Sequence, residues 1–293
     1  MARRYPVERH IRVKSVAQAG QTGSLVRISD EMSKLNHRLY RQGMVYDATV
    51  SLDPDYAGVV DVYVLQDTWM HNEAWKLAFK KFLENNDHDG IRKSRWNDFR
   101  VHPGVDPIIY TQGRAAAAAA GQGVTITENG NYGAGEFVNS QVTTTSGNQL
   151  EFAWSITGAG QYNMLLEYDR HGNTDADPES VITTTPYEGL NDDTENAQYE
   201  HMQDAGNEPP YNADGGLGDC WMKVATLRAD STNATRLSAS IKALCGFVLL
   251  VGYYETSDPK ATVLVKPGSY KGISAEPIGV AKRLPAKGGF KVV

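Results

Sequence analysis

The chain has 293 residues, of which 41% are hydrophobic and 22% are charged, and its formal net charge is -6. This composition predicts a globular protein and excludes a disordered or collagen-like chain. The two cysteines, Cys220 and Cys245, are too few for a disulfide framework and match no metal-binding spacing, so we expect two buried free thiols.

The chain begins with a short basic tip, MARRYPVERHIRVK, although the whole protein is acidic. A cationic terminus ahead of a β-domain is a common way to hold nucleic acid through its phosphates, without reading its sequence. Tyr5 and His10 add rings that can stack on bases. The alternative is a solvated terminus without a partner. The tip carries five basic residues against the single acid Glu8: Arg3, Arg4, Arg9, Arg12 and Lys14.

Strand signals dominate the rest of the chain. Segments 44–52 and 58–67 flank an Asp-Pro-Asp turn and predict an antiparallel pair. No alternation of strand and helix occurs, so the pattern predicts an all-β sandwich rather than a parallel sheet. The segments rich in β-branched and aromatic residues are 44–52, 58–67, 123–128, 136–145, 148–157, 162–169, 180–185, 220–229, 245–255 and 261–266.

One strong helical signal interrupts the strands at residues 68–86. Trp75, Phe79 and Phe82 fall on one face at helical spacing. We expect this face to pack on the sandwich or on a neighbouring subunit. Segment 29–43 predicts a shorter helical turn or two before the first strand.

Charge is distributed unevenly along the chain. The local net charge is +6 in residues 1–43, -12 in residues 169–219 and +6 in residues 260–293. Residues 186–219 lack any apolar periodicity and predict a long acidic loop, which in a compact domain is usually functional or mobile. Either the protein has two faces of opposite sign, or the acidic loops are merely solvated.

No arrangement of residues points to catalysis. The histidines and cysteines have no zinc-binding spacing, and neither a Gly-x-Ser-x-Gly elbow nor a Walker A loop occurs. Asp169, Asn173, Asp175 and Asp177 alternate as in a calcium loop, but the glycine and terminal glutamate of that loop are missing. We therefore expect a protein that is not an enzyme and has no metal or other cofactor.

Three stretches carry a resemblance to a known family. They are ISDEMSKLNHRLYRQGMVYDATVSL at 28–52, LQDTWMHNEAWKLAFKKF at 65–82 and SRWNDFRV at 94–101. In this order they resemble the capsid proteins of small circular, Rep-encoding single-stranded DNA viruses, a circovirus-like group known from environmental samples. The resemblance covers roughly residues 28–101, about a quarter of the chain.

The resemblance implies a single jelly-roll β-sandwich of eight main strands, with residues 1–27 as a basic N-terminal arm and residues 28–293 as the shell domain. In the smallest icosahedron about sixty copies would enclose a single-stranded DNA genome, bound without sequence preference. The tip would face the lumen, and the acidic loop 186–219 would face outward. A host receptor of unknown identity is a further implied partner. The implied localisation is the virion, and the host cell during assembly, with no insertion into a membrane.

The basic tip is short for this role. If about sixty copies held roughly 2,000 nucleotides, each copy would face about 33 phosphates, because each nucleotide carries one charge. The five tip charges would neutralise about a sixth of these phosphates. Other inward-facing cations or counterions would have to supply the rest.

Two other functions fit a strand-rich chain. One is that of a phage or virus fibre or decoration protein. The other is that of a carbohydrate-binding or hydrolytic β-sandwich, in which Trp154, Trp221 and Tyr211 would stack on sugars. The strand patterns around Trp154 and Trp221 favour core positions instead, and no convincing carboxylate pair points to sugar hydrolysis.

Overall fold

The computed structural model describes ten ranges of the chain. They are residues 6–13, 24–53, 58–85, 96–104, 137–143, 147–154, 160–173, 220–229, 236–253 and 260–279. The predicted strands at 123–128 and 180–185 and the loop at 186–219 lie outside these ranges.

The described chain is mainly β, with two antiparallel sheets packed face to face, as predicted for a sandwich. Sheet A contains β1 (His10–Val13), β3 (Met44–Leu52), β9 (Ser238–Leu244), β11 (Ala261–Val265) and β12 (Ala275–Pro277). Its strand order is β1-β11-β3-β9, and β12 pairs with the start of β3 beyond the end of β11. Sheet B contains β2 (Ser24–Arg27), β4 (Gly58–Leu65), β8 (Trp221–Ala229) and β10 (Phe247–Tyr253), in the order β2-β10-β4-β8.

In the described ranges, three helices and a small third sheet accompany the two large sheets. The helices are α1 (Ile28–Asn36), α2 (Trp69–Asn85) and α3 (Met164–Asn173). The third sheet contains β5 (Gln141–Thr143), β6 (Gln149–Ala153) and β7 (Gln161–Asn163). Helix α2 matches the helix predicted at 68–86 to within one residue at each end.

The first core lies between sheets A and B. In β3 every second residue is buried, from Met44 through Tyr46 and Ala48 to Leu52, as expected for a strand with one face on a core. From sheet B, residues such as Val62 point into the same cluster. The alternation of apolar and polar residues therefore fixes which face of each strand is inside.

A second core covers the outer face of sheet B. Tyr63 and Leu65 of β4 and Leu249 of β10 point away from the first core and into this second cluster. Helix α2, the segment at 99–101 and β6 lie over them. Strand β10 is therefore buried on both faces, which explains why it reads as an uninterrupted apolar run.

The chain passes from sheet A to sheet B through a corner at Cys245 and Gly246, which have φ angles of 56° and 70°. A Cβ atom on Gly246 would lie 3.1 Å from the ring of Tyr46 and 3.2 Å from the backbone nitrogen of Ser29. Glycine is favoured here both by the positive φ and by this close approach. Cys220 and Cys245 are both buried and free, which confirms the prediction for the two thiols.

Two segments contain elements that the sequence did not predict. The arm predicted at 1–27 contains β1 and β2, because Ile11 and Val13 alternate with exposed residues and are buried in the first core. Four-residue strands of this kind are too short to stand out from a basic terminus. The strand predicted at 162–169 ends at Asn163, whose side-chain Oδ1 accepts the backbone N–H groups of Leu165 and Leu166 and so caps the start of α3.

Candidate nucleic-acid interface

The outer face of sheet A is polar, in contrast to that of sheet B. The register aligns Arg12 of β1, Thr262 of β11, Ser51 of β3 and Ser238 of β9 in one row across the sheet. Arg12 and Ser238 are exposed at the two edges. Alternation directs these side chains away from the core, so each strand contributes one polar group to the row.

Two further rows run parallel to the first one. The second contains His10, Leu264, Thr49 and Ser240, and in the third Asp47 of β3 lies opposite Lys242 of β9. Asp47 is engaged, because its carboxylate accepts the hydroxyl of Ser274 at 2.7 Å. Small hydroxyls with an arginine and a lysine at the edges make a surface that can donate hydrogen bonds to phosphates without reading bases.

The root of the basic tip is attached beside this sheet. The backbone N–H of Glu8 donates to Oδ1 of Asn36 at 2.8 Å, and Nδ2 of Asn36 donates to the carbonyl of Glu8 at 2.9 Å. The Glu8 carboxylate accepts the backbone N–H groups of His10 and Arg9, and these bonds, with the His10 ring, lower the pKa of Glu8. Glu8 of the tip is therefore held at a defined point at the end of α1.

The structure describes two of the five predicted nucleic-acid-binding residues, Arg9 and Arg12. Arg12 is exposed on the face of sheet A, while Arg9 is half-buried and donates from Nη1 to the carbonyl of Val265 at 3.1 Å. Arg3, Arg4 and Lys14 lie outside the described ranges. Nucleic-acid binding by these residues stays a prediction.

The three aromatic residues predicted to pack from the helix lie on its inner side. Phe82 is 7% exposed, with its ring centroid 5.1 Å from that of Phe99. Trp75 and Phe79 are half-buried and stack on each other at 5.1 Å, and both rings also contact Phe99. Phe99 therefore joins α2 to the second core. Trp154, an aromatic that could have stacked on sugars, is fully buried in the same cluster, as Trp221 nearly is.

The structure also contains a buried ionic cluster that sequence reasoning missed. Asp30 of α1 pairs with Arg100, and its other oxygen lies 4.0 Å from Nη1 of Arg27. Asp30 is 5% exposed and Arg100 is 3% exposed. Desolvation, and then the charge of Arg27, lower the pKa of Arg100 to about 9. One carboxylate thus holds two buried guanidinium groups, and it links α1 to the segment that carries Phe99.

A second link to that segment is made by Gln42 and Asp98. The backbone N–H of Gln42 donates to the Asp98 carboxylate at 2.7 Å, and its side-chain amide exchanges hydrogen bonds with the backbone of Val101. Desolvation raises the pKa of Asp98 to about 6, although Arg41 and the Gln42 N–H oppose that rise.

Replacing Asp98 by asparagine should stabilise the protein by about 1 to 2 kcal/mol at pH 7 and by almost nothing at pH 4. The raised pKa means that the folded protein binds this proton more tightly than the unfolded chain does, so wild-type stability falls as pH rises from about 4 to 6. Asparagine keeps an oxygen that can accept the Gln42 N–H. Urea unfolding of both proteins at the two pH values measures the difference, and equal free energies of unfolding at pH 7 would contradict the assigned pKa.

A shallow groove lies at the start of α2. It has a volume of about 420 Å³, and its lining includes Asp67, Trp69, Asn72 and, from sheet A, Lys242. The indole of Trp69 is 59% exposed. Along its helical wall Glu73 pairs with Lys76 at 2.5 Å. The groove combines an exposed aromatic ring with hydrogen-bonding side chains.

No family model, curated protein or solved structure matches this chain. In the part of the chain that the structure describes, no three His, Cys, Asp or Glu side chains are grouped as metal ligands. Nor is any helix of that part long and apolar enough to cross a bilayer. The function is therefore proposed from the fold and from these surfaces.

Proposed function

We propose that this chain is a jelly-roll capsid protein whose copies assemble into an icosahedral shell around single-stranded DNA. The observation that carries the proposal is the strand order. Counted over the described ranges, without the small sheet and β12, the eight strands pair first with eighth, second with seventh, third with sixth and fourth with fifth. The resulting orders are 1-8-3-6 and 2-7-4-5.

This pairing is that of one long antiparallel ribbon folded over into two sheets. This order supports the proposed jelly roll, a topology of two Greek keys used by viral capsid domains and also by lectins and cupins. The resemblance of residues 28–101 to capsid proteins selects the first of these uses. No cofactor or catalytic group is part of the proposal, and the protein is a structural one.

The two faces of the sandwich support a shell with distinct sides. Sheet B carries the second core and α2 on its outer face, while the outer face of sheet A is hydroxyl-rich, with Arg12 at its edge. The root of the basic tip is attached on the side of β1. We assign sheet A and the tip to the lumen, where they meet the genome, and the acidic residues 169–219 to the outside.

Negative-stain electron microscopy of the purified protein should show closed particles of uniform size. Closed shells need ring-closing contacts between copies that each bury a large area. Changing all five basic residues of the tip to glutamine should lower the 260/280 nm absorbance ratio of the purified particles, because fewer phosphates are neutralised.

The wild-type protein, purified in parallel, is the control for both measurements. Filaments in place of closed particles would favour a fibre protein. Only monomers, over a range of salt and pH, would contradict the proposal. An unchanged absorbance ratio in the variant particles would contradict the role of the tip in binding the genome, but not the role of the protein as a shell.

A second candidate function is carbohydrate binding, favoured by the groove at α2. Exposed indole rings such as that of Trp69 stack on sugar rings, and Asp67 and Asn72 can accept or donate hydrogen bonds to hydroxyls. Lectins share the jelly-roll topology. A monomeric protein that binds immobilised glycans, and loses this binding in Trp69→Ala, would favour this function over a shell.

A further inference from the structure

Two loops at one end of the sandwich, together with Trp96 from a third segment, form a surface that we call the loop patch. It consists of His37, Arg38 and Arg41 after α1, Lys271 between β11 and β12, and Trp96. All five side chains are exposed, and the indole of Trp96 is 38% exposed.

The two loops are held in place by hydrogen bonds. The backbone N–H of Arg41 donates to the hydroxyl of Tyr270 at 3.2 Å, and the hydroxyl of Tyr40 donates to the carbonyl of Lys271 at 3.0 Å. The ammonium group of Lys271 donates to the carbonyl of Leu39 and lies 5.3 Å from the centroid of the Tyr270 ring. The patch is therefore a preformed surface.

The positive charge of the patch exceeds the nearby negative charge. Among the described residues, no carboxylate comes within ion-pairing distance of Arg38, Arg41 or Lys271. The nearest acid that influences Lys271 is Asp98, which is already bonded to the Gln42 N–H. Desolvation and then the charges of Arg41 and Arg38 lower the pKa of Lys271, so these cations repel one another. An added anion would relieve this repulsion.

Aromatic rings accompany the cations. The rings of His37 and Trp96 lie 5.5 Å apart between centroids, at an angle of 57°. Exposed aromatic faces beside a row of cations are typical of sites for single-stranded nucleic acid, where bases stack and phosphates meet the charges. A surface for an acidic peptide would need the cations but not the indole.

The loop patch adjoins the root of the basic tip. A Cβ atom on Gly272, the residue after Lys271, would lie 2.7 Å from the side chain of Val7. On the other side, Glu8 is bonded to Asn36, one residue before His37. Arg3 and Arg4 precede Val7 by only a few residues in the sequence. Val7 and Glu8 of the tip therefore lie between the two loops that make the patch.

We propose that the loop patch is a second binding site for single-stranded nucleic acid, continuous with the basic tip. Arg38, Arg41 and Lys271 contact successive phosphates, and Trp96 stacks on a base. The site rests on the proposed function, since it names where the packaged strand meets the shell. It supplies part of the inward charge that the five residues of the tip lack.

The experiment compares variants of the full chain, with binding of fluorescein-labelled oligo(dT) to unassembled subunits followed by anisotropy over a range of salt. In a plot of log K against log salt, the double variant Arg38→Gln/Arg41→Gln should have a slope that is shallower than that of wild type by about 1.4. This corresponds to about 0.7 for each of two lost phosphate contacts. If the variant and wild type bind equally at 1 M salt, this difference in slope means that the variant binds about 25-fold more weakly at 0.1 M salt. The matched control is Lys80→Gln/Lys81→Gln, which removes two exposed cations from α2 and should leave the slope unchanged.

A second pair of variants tests the stacking. Trp96→Ala should bind oligo(dT) at least about fivefold more weakly, while Trp69→Ala, an equally drastic change at an exposed indole elsewhere, should bind as wild type does. Melting temperatures within about 2 °C of wild type establish that the variants are folded. Arg38 and Arg41 are exposed, and their side chains make no ion pair with described residues, so folding should not depend on them.

The outcomes separate this site from the proposed function. If both double variants weaken binding equally, general charge is responsible and the site is overturned. If Trp96→Ala has no effect and heparin binding falls as much as oligo(dT) binding, the patch is a surface for polyanions in general, which also overturns the assignment. Particle formation, scored by electron microscopy, tests the shell independently. Closed particles whose DNA binding does not depend on the patch would contradict only the proposed site. Patch-dependent DNA binding by a protein that forms no particles would contradict only the proposed shell.

Discussion

Asp30→Ala should destabilise the protein by about 3 to 5 kcal/mol, the loss expected when one member of a buried ion pair is removed. Asp30 is the partner of both Arg27 and Arg100 in the buried ionic cluster. Without it, two guanidinium groups would be left in a poorly solvated site with no carboxylate between them. Chemical denaturation, followed by circular dichroism, measures the free energy of unfolding.

The control for this prediction is Glu73→Ala, which also removes the acid of an ion pair on a helix. Glu73 and Lys76 lie 2.5 Å apart but are only half-buried, so the loss should be about 1 kcal/mol or less. Similar losses in the two variants would show that the Asp30 cluster is solvated. A larger loss for Asp30→Ala, with an unchanged dependence on denaturant concentration, is the expected result.

Phe82→Ala should cost about 3 to 5 kcal/mol, the range for removing a buried phenylalanine ring from a core. The Phe82 ring is buried against Phe99 and lies 6.4 Å from Phe152, in the cluster that attaches α2 to sheet B. The cavity would open under the middle of this interface. Thermal unfolding and particle yield measure the effect on fold and assembly.

Phe79→Ala is the matched control, one turn earlier on the same helix. Sequence periodicity places Phe79 and Phe82 on one face equally, but Phe79 is only half-buried and its ring stacks mainly on Trp75. Its loss should be clearly smaller than that of Phe82→Ala. Equal losses of unfolding free energy in the two variants would show that the second core around Phe82 is more exposed to solvent than the packing of its rings indicates.

The sandwich could be predicted because its signals are local. Alternation in β3, the apolar run of β10 and the periodicity of α2 each arise within a few neighbouring residues, and burial of one face is enough to select the conformation. The start of α3 could not be predicted from apolar content alone. It depends on Asn163, whose side chain satisfies two backbone N–H groups that a strand would have paired with a neighbour.

Of the two parts of the candidate interface, the basic tip could be predicted from the sequence and the loop patch could not. The basic tip is a run of charges, and runs are visible without a structure. The loop patch is not a run, because Arg38 and Lys271 are more than 200 residues apart and meet only where two loops are bonded together. The one local sign was the group of basic residues between α1 and β3, which a helix-to-strand connection does not by itself explain.

The sequence by itself determined that the protein is a strand-rich sandwich, since period-two burial is a property of neighbouring residues. Only the tertiary structure decided which strands pair. The sequence predicts that segments 44–52 and 58–67 are partners, yet β3 lies in sheet A and β4 in sheet B. Their buried faces meet across the core, and each takes its hydrogen-bonded neighbours from the last third of the chain. Pairing depends on which distant strand can bury the same face at the same depth, and no stretch of neighbouring residues carries that information.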